Sequence, residues 1–224
     1  MREFVYYSKN AVTTGNFDMT NLMKAGRMDI ACNMIIMSFF VSHSMRHNVK
    51  LHLVFDGPPD SPKHLEMFPG KNHLESVENK IDISKKDVSS LIKKLLYKYK
   101  KGEKKEVAPG YYIEKKSFSN VIKELAEEGK EIYILDKKGE DLRDIKISDK
   151  SVFILGDQDG IPKQELKRIK GVGINKVSVG PYMLFASQAL TILQNELDRR
   201  EISAETVENA VDEDVEDAED IGAD

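Results

Sequence analysis

Two apolar runs in the last third of the chain end at a glycine and then turn toward a helical pattern. Ser151–Gly156 runs on to Pro162, and Lys176–Gly180 leads into a pattern that reaches Arg200. Glycine adopts backbone angles that other residues avoid, and it lets a ligand approach the main chain closely. In an open α/β sheet, ligands bind at the carboxyl ends of the strands. The two segments therefore predict a small-molecule pocket whose walls are made of backbone.

The rest of the chain repeats this alternation of strands and helices, which is typical of an α/β fold with a mostly parallel sheet flanked by helices. Residues 58–80 show little periodicity and are interpreted as a long loop. Hydrophobic spacing predicts strands at Glu3–Tyr7, Val49–Phe55, Tyr111–Ile113, Glu131–Leu135, Val152–Leu155 and Val177–Val179. It predicts helices at Met28–Met45, Ser84–Lys101, Phe118–Glu128 and Leu184–Arg199.

Charge is distributed unevenly along the 224 residues. Residues 201–224 hold eleven acidic residues and no Lys or Arg, so 27 acidic residues face 34 basic ones in residues 1–200, a charge of about +7. We expect one domain over residues 1–200 and an acidic, disordered tail over 201–224. A basic body is typical of proteins that meet nucleic acid, although a solvated lysine surface would give the same charge.

Composition also bears on the compartment. The longest apolar-rich stretch, Ala31–Val41, is far shorter than the ~20 residues that span a bilayer. No secretory signal is visible before the strand-like Arg2–Tyr7. The single cysteine, Cys32, excludes an internal disulfide and fits a reducing compartment. We therefore expect a cytoplasmic protein without a membrane segment.

Several short motifs do not carry a function. Gly171-Val-Gly173 precedes a strand instead of following one, so it is not a dinucleotide fingerprint. His43 and His47 have the spacing of two metal ligands on a helix but no third ligand beside them, so no metal site is predicted. Asp157 and Asp159 could hold a cation, and are interpreted instead as residues that shape a turn and cap the helix starting near Pro162.

Six separated segments, in order, resemble the archaeal tRNA pseudouridine-54 N1-methyltransferases, a family of the SPOUT superfamily of knotted methyltransferases. The resemblance covers about residues 1–199. The segments are Ala11–Asp18, Ala25–Asp29, His52–Asp60, Leu155–Pro162, Ser178–Pro181 and Glu196–Arg199.

The resemblance implies a C-terminal deep trefoil knot, S-adenosylmethionine as methyl donor, tRNA as substrate and a homodimer as the working unit. Topology rules alone would have argued against a knot, because knots are nearly absent from proteins. Carried over by position, the donor pocket would be formed by Leu135, Gly156, Gly180, Pro181, Tyr182, Met183, Leu184 and Ala189. The chain departs from the family pattern at Gln158, where the family has His, and at Gln188-Ala189, where it has His-Cys.

The implied reaction is methyl transfer to N1 of a pseudouridine. Asp56, at a strand end beside Gly-Pro-Pro, is the candidate for orienting or accepting the N1 proton, and initiation of that turn is the competing interpretation. Arg27, Arg46, Lys63 and His64 are the first candidates for RNA contact. The lysines of Ser84–Lys105, with Tyr97 and Tyr99 among them, form a second basic face that is equally compatible with simple solvation.

Two alternatives stay open. A ribosomal RNA pseudouridine is the nearest alternative substrate. A dimeric RNA-binding protein that has lost catalysis is the alternative from another class, because of Gln158, Gln188 and Ala189.

Overall fold

The computed structural model describes residues 1–42, 44–70 and 84–202. The strands are β1 (Arg2–Ser8), β2 (Phe40–Val41), β3 (Ser44–Met45), β4 (Val49–Phe55), β5 (Lys63–Met67), β6 (Lys105–Ala108), β7 (Tyr111–Glu114), β8 (Glu131–Asp141), β9 (Ser151–Gly156) and β10 (Ile174–Ser178). The helices are α1 (Met28–Phe39), α2 (Lys85–Tyr97), α3 (Phe118–Glu127), α4 (Lys163–Arg168) and α5 (residues 186–202), with a short 3-10 helix at Leu22–Ala25.

Eight strands form one sheet in the order β10-β8-β9-β1-β4-β5-β7-β6. The five strands from β10 to β4 are parallel to their neighbours, whereas β5, β7 and β6 pair antiparallel. The carboxyl ends of the five parallel strands therefore meet at one edge. The prediction of an α/β fold with a mostly parallel sheet is confirmed.

Helices cover both faces of the sheet, which explains why β1 is buried along its whole length. Phe4 and Tyr6 point into a core shared with α1, α2 and α5. Val5 and Tyr7 point the opposite way, into a smaller core with Phe118 and other residues of α3. Alternate residues of a strand face opposite sides, so the middle of a central strand with two covered faces is apolar, as in Phe4–Tyr7.

The helix predicted at Met28–Met45 ends earlier, at Phe39. Phe40 takes an extended conformation and pairs with Met45, so β2 and β3 form a small antiparallel pair. Val41 and Met45 match helical spacing, and that coincidence made the helix prediction too long. His47 is consequently not on a helix, and His43 lies outside the described residues.

The long loop predicted over residues 58–80 is wrong at Lys63–Met67, which form β5, and its part from residue 71 on lies outside the described residues. β5 pairs antiparallel with β4, with Leu65 opposite Leu53. This short strand alternates buried Leu65 and Met67 with polar His64 and Glu66, so its apolar signal rests on two residues. Strand β6, which forms a hairpin with β7, was not predicted either.

The prediction of a helix at Ser84–Lys101 is confirmed, with an earlier end at Tyr97. Ser84 and Asp87 cap its start reciprocally, with the Ser84 side chain accepting from the Asp87 N–H. The disordered tail predicted over 201–224 lies outside the described residues, apart from 201 and 202 at the end of α5. Among the helices of the described ranges, none combines the length and apolarity needed to cross a bilayer.

Candidate functional site

A cavity of about 310 Å³ opens at the carboxyl ends of β9 and β10, beside residues 135–137 of β8. Its walls come from these residues of β8, from the ends of β9 and β10 with the segments that follow them, and from the start of α5. The lining residues are Leu135, Asp136, Lys137, Leu155, Gly156, Asp157, Gly160, Val177, Ser178, Val179, Gly180, Tyr182, Met183, Leu184, Ala186 and Ala189. Seven of the eight residues that the resemblance assigns to a donor pocket line this cavity.

Pro181 is the exception. It lies with Gly180 in a neighbouring groove that also contains residues of α5. The remaining lining residues, Asp136 and Val177 among them, were missed at the sequence level. A signal was available for Asp136, which directly follows the predicted strand end at Leu135, whereas Gly160 and Ala186 lie several residues beyond a predicted strand end.

The first wall of the cavity is a bulge in β8. Ile134 pairs with Lys176 of β10, and the next pair is Glu140 with Val177, so residues 135–139 leave the ladder between these two pairs. Asp136 in the bulge forms a 2.6 Å ion pair with Lys176. The sequence predicted a strand that ended at Leu135. The strand continues to Asp141, but its pairing is interrupted from Leu135 on, which explains why the apolar strand pattern stops there.

The second wall depends on a close approach between backbones. A Cβ atom at Gly156 would lie 2.8 Å from the carbonyl carbon of Gly160. Such a contact is shorter than real Cβ contacts, so a larger residue at position 156 would force the turn of residues 156–160 outward. Glycine is therefore needed at this strand end because a side chain would collide with the backbone of Gly160.

Asp157 fixes the same turn and ties it to β1. Its Oδ2 accepts hydrogen bonds from the Ser8 hydroxyl at 3.1 Å and the Lys9 N–H at 3.0 Å, and its Oδ1 accepts from the Asp159 N–H at 3.0 Å. The carboxylate is 8% exposed. It shapes the turn, as interpreted from the sequence, but α4 begins after Pro162 without a side-chain cap.

Asp56 stands at the end of β4, one strand beyond β1 on the same edge. Its Oδ2 accepts a 3.0 Å hydrogen bond from the Tyr7 hydroxyl, and its N–H donates to the Ser8 carbonyl at 2.9 Å. Burial and the Asp56 charge raise the pKa of Tyr7 above its usual value, so the phenol stays protonated and acts as a donor. Ser8 thus contacts both Asp56 and Asp157, which lines the cavity.

The loop that carries Asp56 is joined to the loop after β1. The Thr13 hydroxyl donates to the Gly57 carbonyl at 3.0 Å and accepts from the Asp60 N–H at 2.9 Å. A Cβ at Gly57 would lie 2.4 Å from the Asn10 carbonyl oxygen, so the loops can touch only with glycine there. The two loops hold Asp56 in a fixed position relative to β1.

The four residues predicted to contact RNA lie in different environments. Arg27 has a positive φ of 65° and forms two 3.0 Å hydrogen bonds to Asp29. Arg46 binds Asp198 of α5 at 2.6 Å. Both guanidinium groups are partly exposed, with relative side-chain exposures of 30% and 19%.

Lys63 and His64 are placed differently, with relative exposures of 1% and 2%. Lys63 Nζ lies 2.7 Å from Asp60 Oδ2 and 3.9 Å from the centre of the Tyr99 ring. His64 Nδ1 lies 3.0 Å from Glu114 Oε1, and its Nε2 lies 2.9 Å from His52 Nδ1. Because neither side chain reaches the surface, we do not retain them as RNA contacts.

Of the three departures from the family pattern, two lie outside the cavity lining and one lies within it. Gln188 Oε1 accepts a 3.1 Å hydrogen bond from the Phe185 N–H at the start of α5, and Gln158 is exposed next to Asp159. Neither residue lines the cavity. Ala189 does, with its small side chain buried. The two glutamines therefore leave the walls of the cavity intact.

Comparisons with known proteins agree on one family. Residues 1–202 match the family model described as "Putative SAM-dependent RNA methyltransferase". The tRNA (pseudouridine(54)-N(1))-methyltransferase of Methanococcus aeolicus is 34% identical over 209 residues, which cover 90% of this chain and 100% of the relative. The enzyme of the same name from Methanocaldococcus jannaschii is 30% identical, with 90% and 98% covered.

Among solved structures, Nep1 of Archaeoglobus fulgidus bound to S-adenosylhomocysteine has a similar fold. Its TM-score is 0.55 at 12% identity, with 88% of this chain and 97% of that chain covered. The match of the family model over nearly the whole described chain, together with relatives above 30% identity, shows that the protein belongs to the family of SAM-dependent RNA methyltransferases.

Proposed function

We propose that this protein transfers a methyl group from S-adenosylmethionine to N1 of pseudouridine 54 in the T-loop of tRNA. The observation that carries the proposal is the alignment of nearly the whole chain with relatives named for this reaction. The cavity formed by residues 135–137 of β8 and the ends of β9 and β10 supports it, because a pocket for the donor is what the reaction requires. A tRNA substrate also implies a cytoplasmic location.

The cavity fits the proposed donor in size and chemistry. Its volume of about 310 Å³ is at the lower end of the range for small-molecule sites. Apolar side chains of Leu155, Val177 and Leu184 would contact an adenosine, while backbone groups of residues 135–137 and 156–160 would bind its polar edges. When bound, the donor supplies an electrophilic methyl group on a positively charged sulfur. The carboxylate of Asp157, in the wall, has the charge that complements it.

The protein's own task is alignment and removal of a proton. Oriented reactants can lower a barrier by about 7–11 kcal/mol relative to free reactants. We assign the acceptance or orientation of the N1 proton to the Asp56 carboxylate. The Tyr7 hydroxyl, which donates to Asp56 Oδ2 at 3.0 Å, would hold that carboxylate in place.

RNA would approach the same edge of the sheet. The C-terminal half of α2 lies beside the loop after β1, because Lys93 Nζ donates to the Phe17 carbonyl at 3.0 Å. Exposed Lys94 and Lys98 flank Tyr97, which is 59% exposed. Lysines bind phosphates and an exposed ring can stack on a base. Arg27 stays in the proposed RNA surface as a partly exposed charge. Arg46 is also partly exposed, but it lies at the amino ends of β1 and β4, where Asp198 binds both Arg2 and Arg46. It would therefore contact a different part of the RNA.

A second copy of the chain is the proposed partner. Large apolar side chains are exposed at the cavity rim, with Tyr182 at 80%, Met183 at 79% and Phe185 at 60%. A contiguous exposed apolar patch marks an interaction surface. Closing this rim with a second copy would complete the donor pocket, and equilibrium sedimentation tests the dimer directly. The knot implied by the family resemblance stays a prediction.

The experiment combines the full chain, labelled donor and tRNA transcripts. Label should enter only transcripts in which position 54 has first been converted to pseudouridine, and mass analysis should find the methyl group on that base. Equal labelling of unconverted transcripts would contradict the proposal. Preferential labelling of a pseudouridylated ribosomal RNA fragment would assign the other substrate. Donor binding by calorimetry without methyl transfer to any of these RNAs would favour a binding protein that has lost catalysis.

A further inference from the structure

A buried chain of polar side chains crosses β1, β4, β5 and β7, away from the donor cavity. His52 Nε2 lies 3.0 Å from Glu3 Oε1, His52 Nδ1 lies 2.9 Å from His64 Nε2, and His64 Nδ1 lies 3.0 Å from Glu114 Oε1. The relative exposure of His52 is 4% and that of His64 is 2%. The reaction proposed above uses none of these groups.

The sheet explains how the cluster forms. His52 lies directly opposite Glu66 in the β4–β5 pairing, and His64 lies opposite Glu114 in the β5–β7 pairing. His64 and Glu66 are two residues apart on β5 and therefore point to the same face. The three side chains His52, His64 and Glu66 each offer a ligand atom, and these atoms lie within 4.8 Å of one another.

The outer nitrogens of both rings must carry hydrogen. Glu3 Oε2 forms a 2.7 Å ion pair with Lys130, and Glu114 Oε1 forms a 2.8 Å ion pair with Lys116. Carboxylates in such pairs are ionised and can only accept hydrogen bonds. His52 Nε2 and His64 Nδ1 are therefore donors.

The inner nitrogens then face each other without a hydrogen if both rings are neutral. Two imidazole lone pairs at 2.9 Å repel, so the arrangement needs a positive charge between them. A divalent metal ion bound to both nitrogens would supply that charge, because a metal ion binds neutral imidazole.

We propose that His52 Nδ1, His64 Nε2 and the Glu66 carboxylate bind a divalent metal ion of the zinc class. Two nitrogens and one carboxylate oxygen form a known zinc donor set, in which water takes the fourth position. Metal-ligating histidines characteristically donate their other N–H to a carboxylate, and both rings do so here.

The two rings face each other nearly coplanar, so they would have to turn and separate to hold an ion. Two nitrogens on one tetrahedral zinc ion lie about 3.3 Å apart, so the rings would separate by a few tenths of an ångström. Glu66 Oε2 lies 4.0 Å from His52 Nδ1 and would move toward the ion as its 2.8 Å contact with the more exposed Lys104 lengthens. Because the ligands come from β4 and β5, the ion would link the parallel part of the sheet to the antiparallel part and stabilise the fold.

The test is metal binding by the full chain after dialysis against a chelator. Zinc is titrated against a chromophoric competitor, and cobalt(II) is added separately to read its visible absorption. The wild type should take up one equivalent, show the absorption of tetrahedral cobalt, and gain about 5 °C or more in Tm at saturating zinc. The matched control His47→Gln, outside the cluster, should behave identically.

Two variants locate the site. His64→Gln should abolish stoichiometric binding, with circular dichroism checking its fold. Glu66→Gln changes a more accessible residue and should weaken binding by about tenfold or more without unfolding the chain. Equal zinc affinity in wild type and both variants would overturn the proposal. A wild type that takes up no metal would also overturn it. In that case a proton supplies the charge between the rings, and ¹⁵N NMR should show three N–H protons on the two rings.

Discussion

The Tyr7 hydroxyl donates a 3.0 Å hydrogen bond to Oδ2 of Asp56, between the ends of the neighbouring parallel strands β1 and β4. One carboxylate oxygen is thereby held while the other can face a substrate. If Asp56 accepts the N1 proton, Asp56→Asn should lower the single-turnover methylation rate by about 10²–10⁴-fold.

Tyr7→Phe is the matched control for this prediction. It keeps the carboxylate and removes only the bond that orients it, so the rate should fall less than in Asp56→Asn. Donor affinity, measured by calorimetry, should change in neither variant. Full activity of Asp56→Asn would leave Asp56 with the role of initiating its turn.

Gly156→Ala should disturb the donor cavity. The new methyl group would lie 2.8 Å from the backbone of Gly160, so the turn that lines the cavity must shift. We expect donor affinity to fall by about tenfold or more, equivalent to about 1.4 kcal/mol. Gly171→Ala is the control, because a Cβ there meets nothing within 4 Å. Unchanged affinity in Gly156→Ala would argue against this wall as the donor site.

Charge reversal on α2 should weaken RNA binding. In Lys94→Glu/Lys98→Glu, fewer counterions are released on association, so tRNA affinity should fall and depend less steeply on salt. Lys123→Glu/Lys150→Glu makes the same change in charge at exposed lysines outside α2. An equal loss of affinity in both double variants would point to overall charge and not to the α2 surface.

Asp198 should make stability depend on pH in the acid range. Burial alone would raise its pKa, but hydrogen bonds from Arg46 and Arg2 outweigh this effect and lower it below the usual value. A carboxyl group with a lowered pKa in the folded state stabilises the protein above its unfolded pKa of about 3.9. That contribution is lost as the pH falls through the lower, folded pKa.

Asp198→Asn should therefore reduce the free energy of unfolding by about 1–3 kcal/mol at pH 7. The difference from wild type should shrink as the pH falls below about 4. Chemical denaturation at several pH values measures the difference in the free energy of unfolding. Glu127→Gln, at an exposed site, is the control. A difference that stays constant down to pH 2 would exclude an electrostatic origin.

Local sequence was sufficient for most of the parallel half of the sheet. The strand at Val49–Phe55 has the predicted bounds, and β9 differs from its prediction by one residue at each end. β9 is buried on both faces and its apolar run is continuous up to Gly156, whereas β4 alternates around Lys50 and His52 and ends at an Asp-Gly turn. The cavity could be anticipated for the same reason, because parallel strands bring their carboxyl ends together whatever the rest of the chain does.

The antiparallel half and the polar cluster were decided by tertiary structure. Lys63 and His64 look like surface residues in the sequence, yet pairing of β5 between β4 and β7 buries both, one against Tyr99 and the other between His52 and Glu114. Sequence alone determined which residues can form strands, helices and tight turns, since these depend on near neighbours. Only the folded sheet decided which distant polar side chains share a face, because that depends on strand order and register.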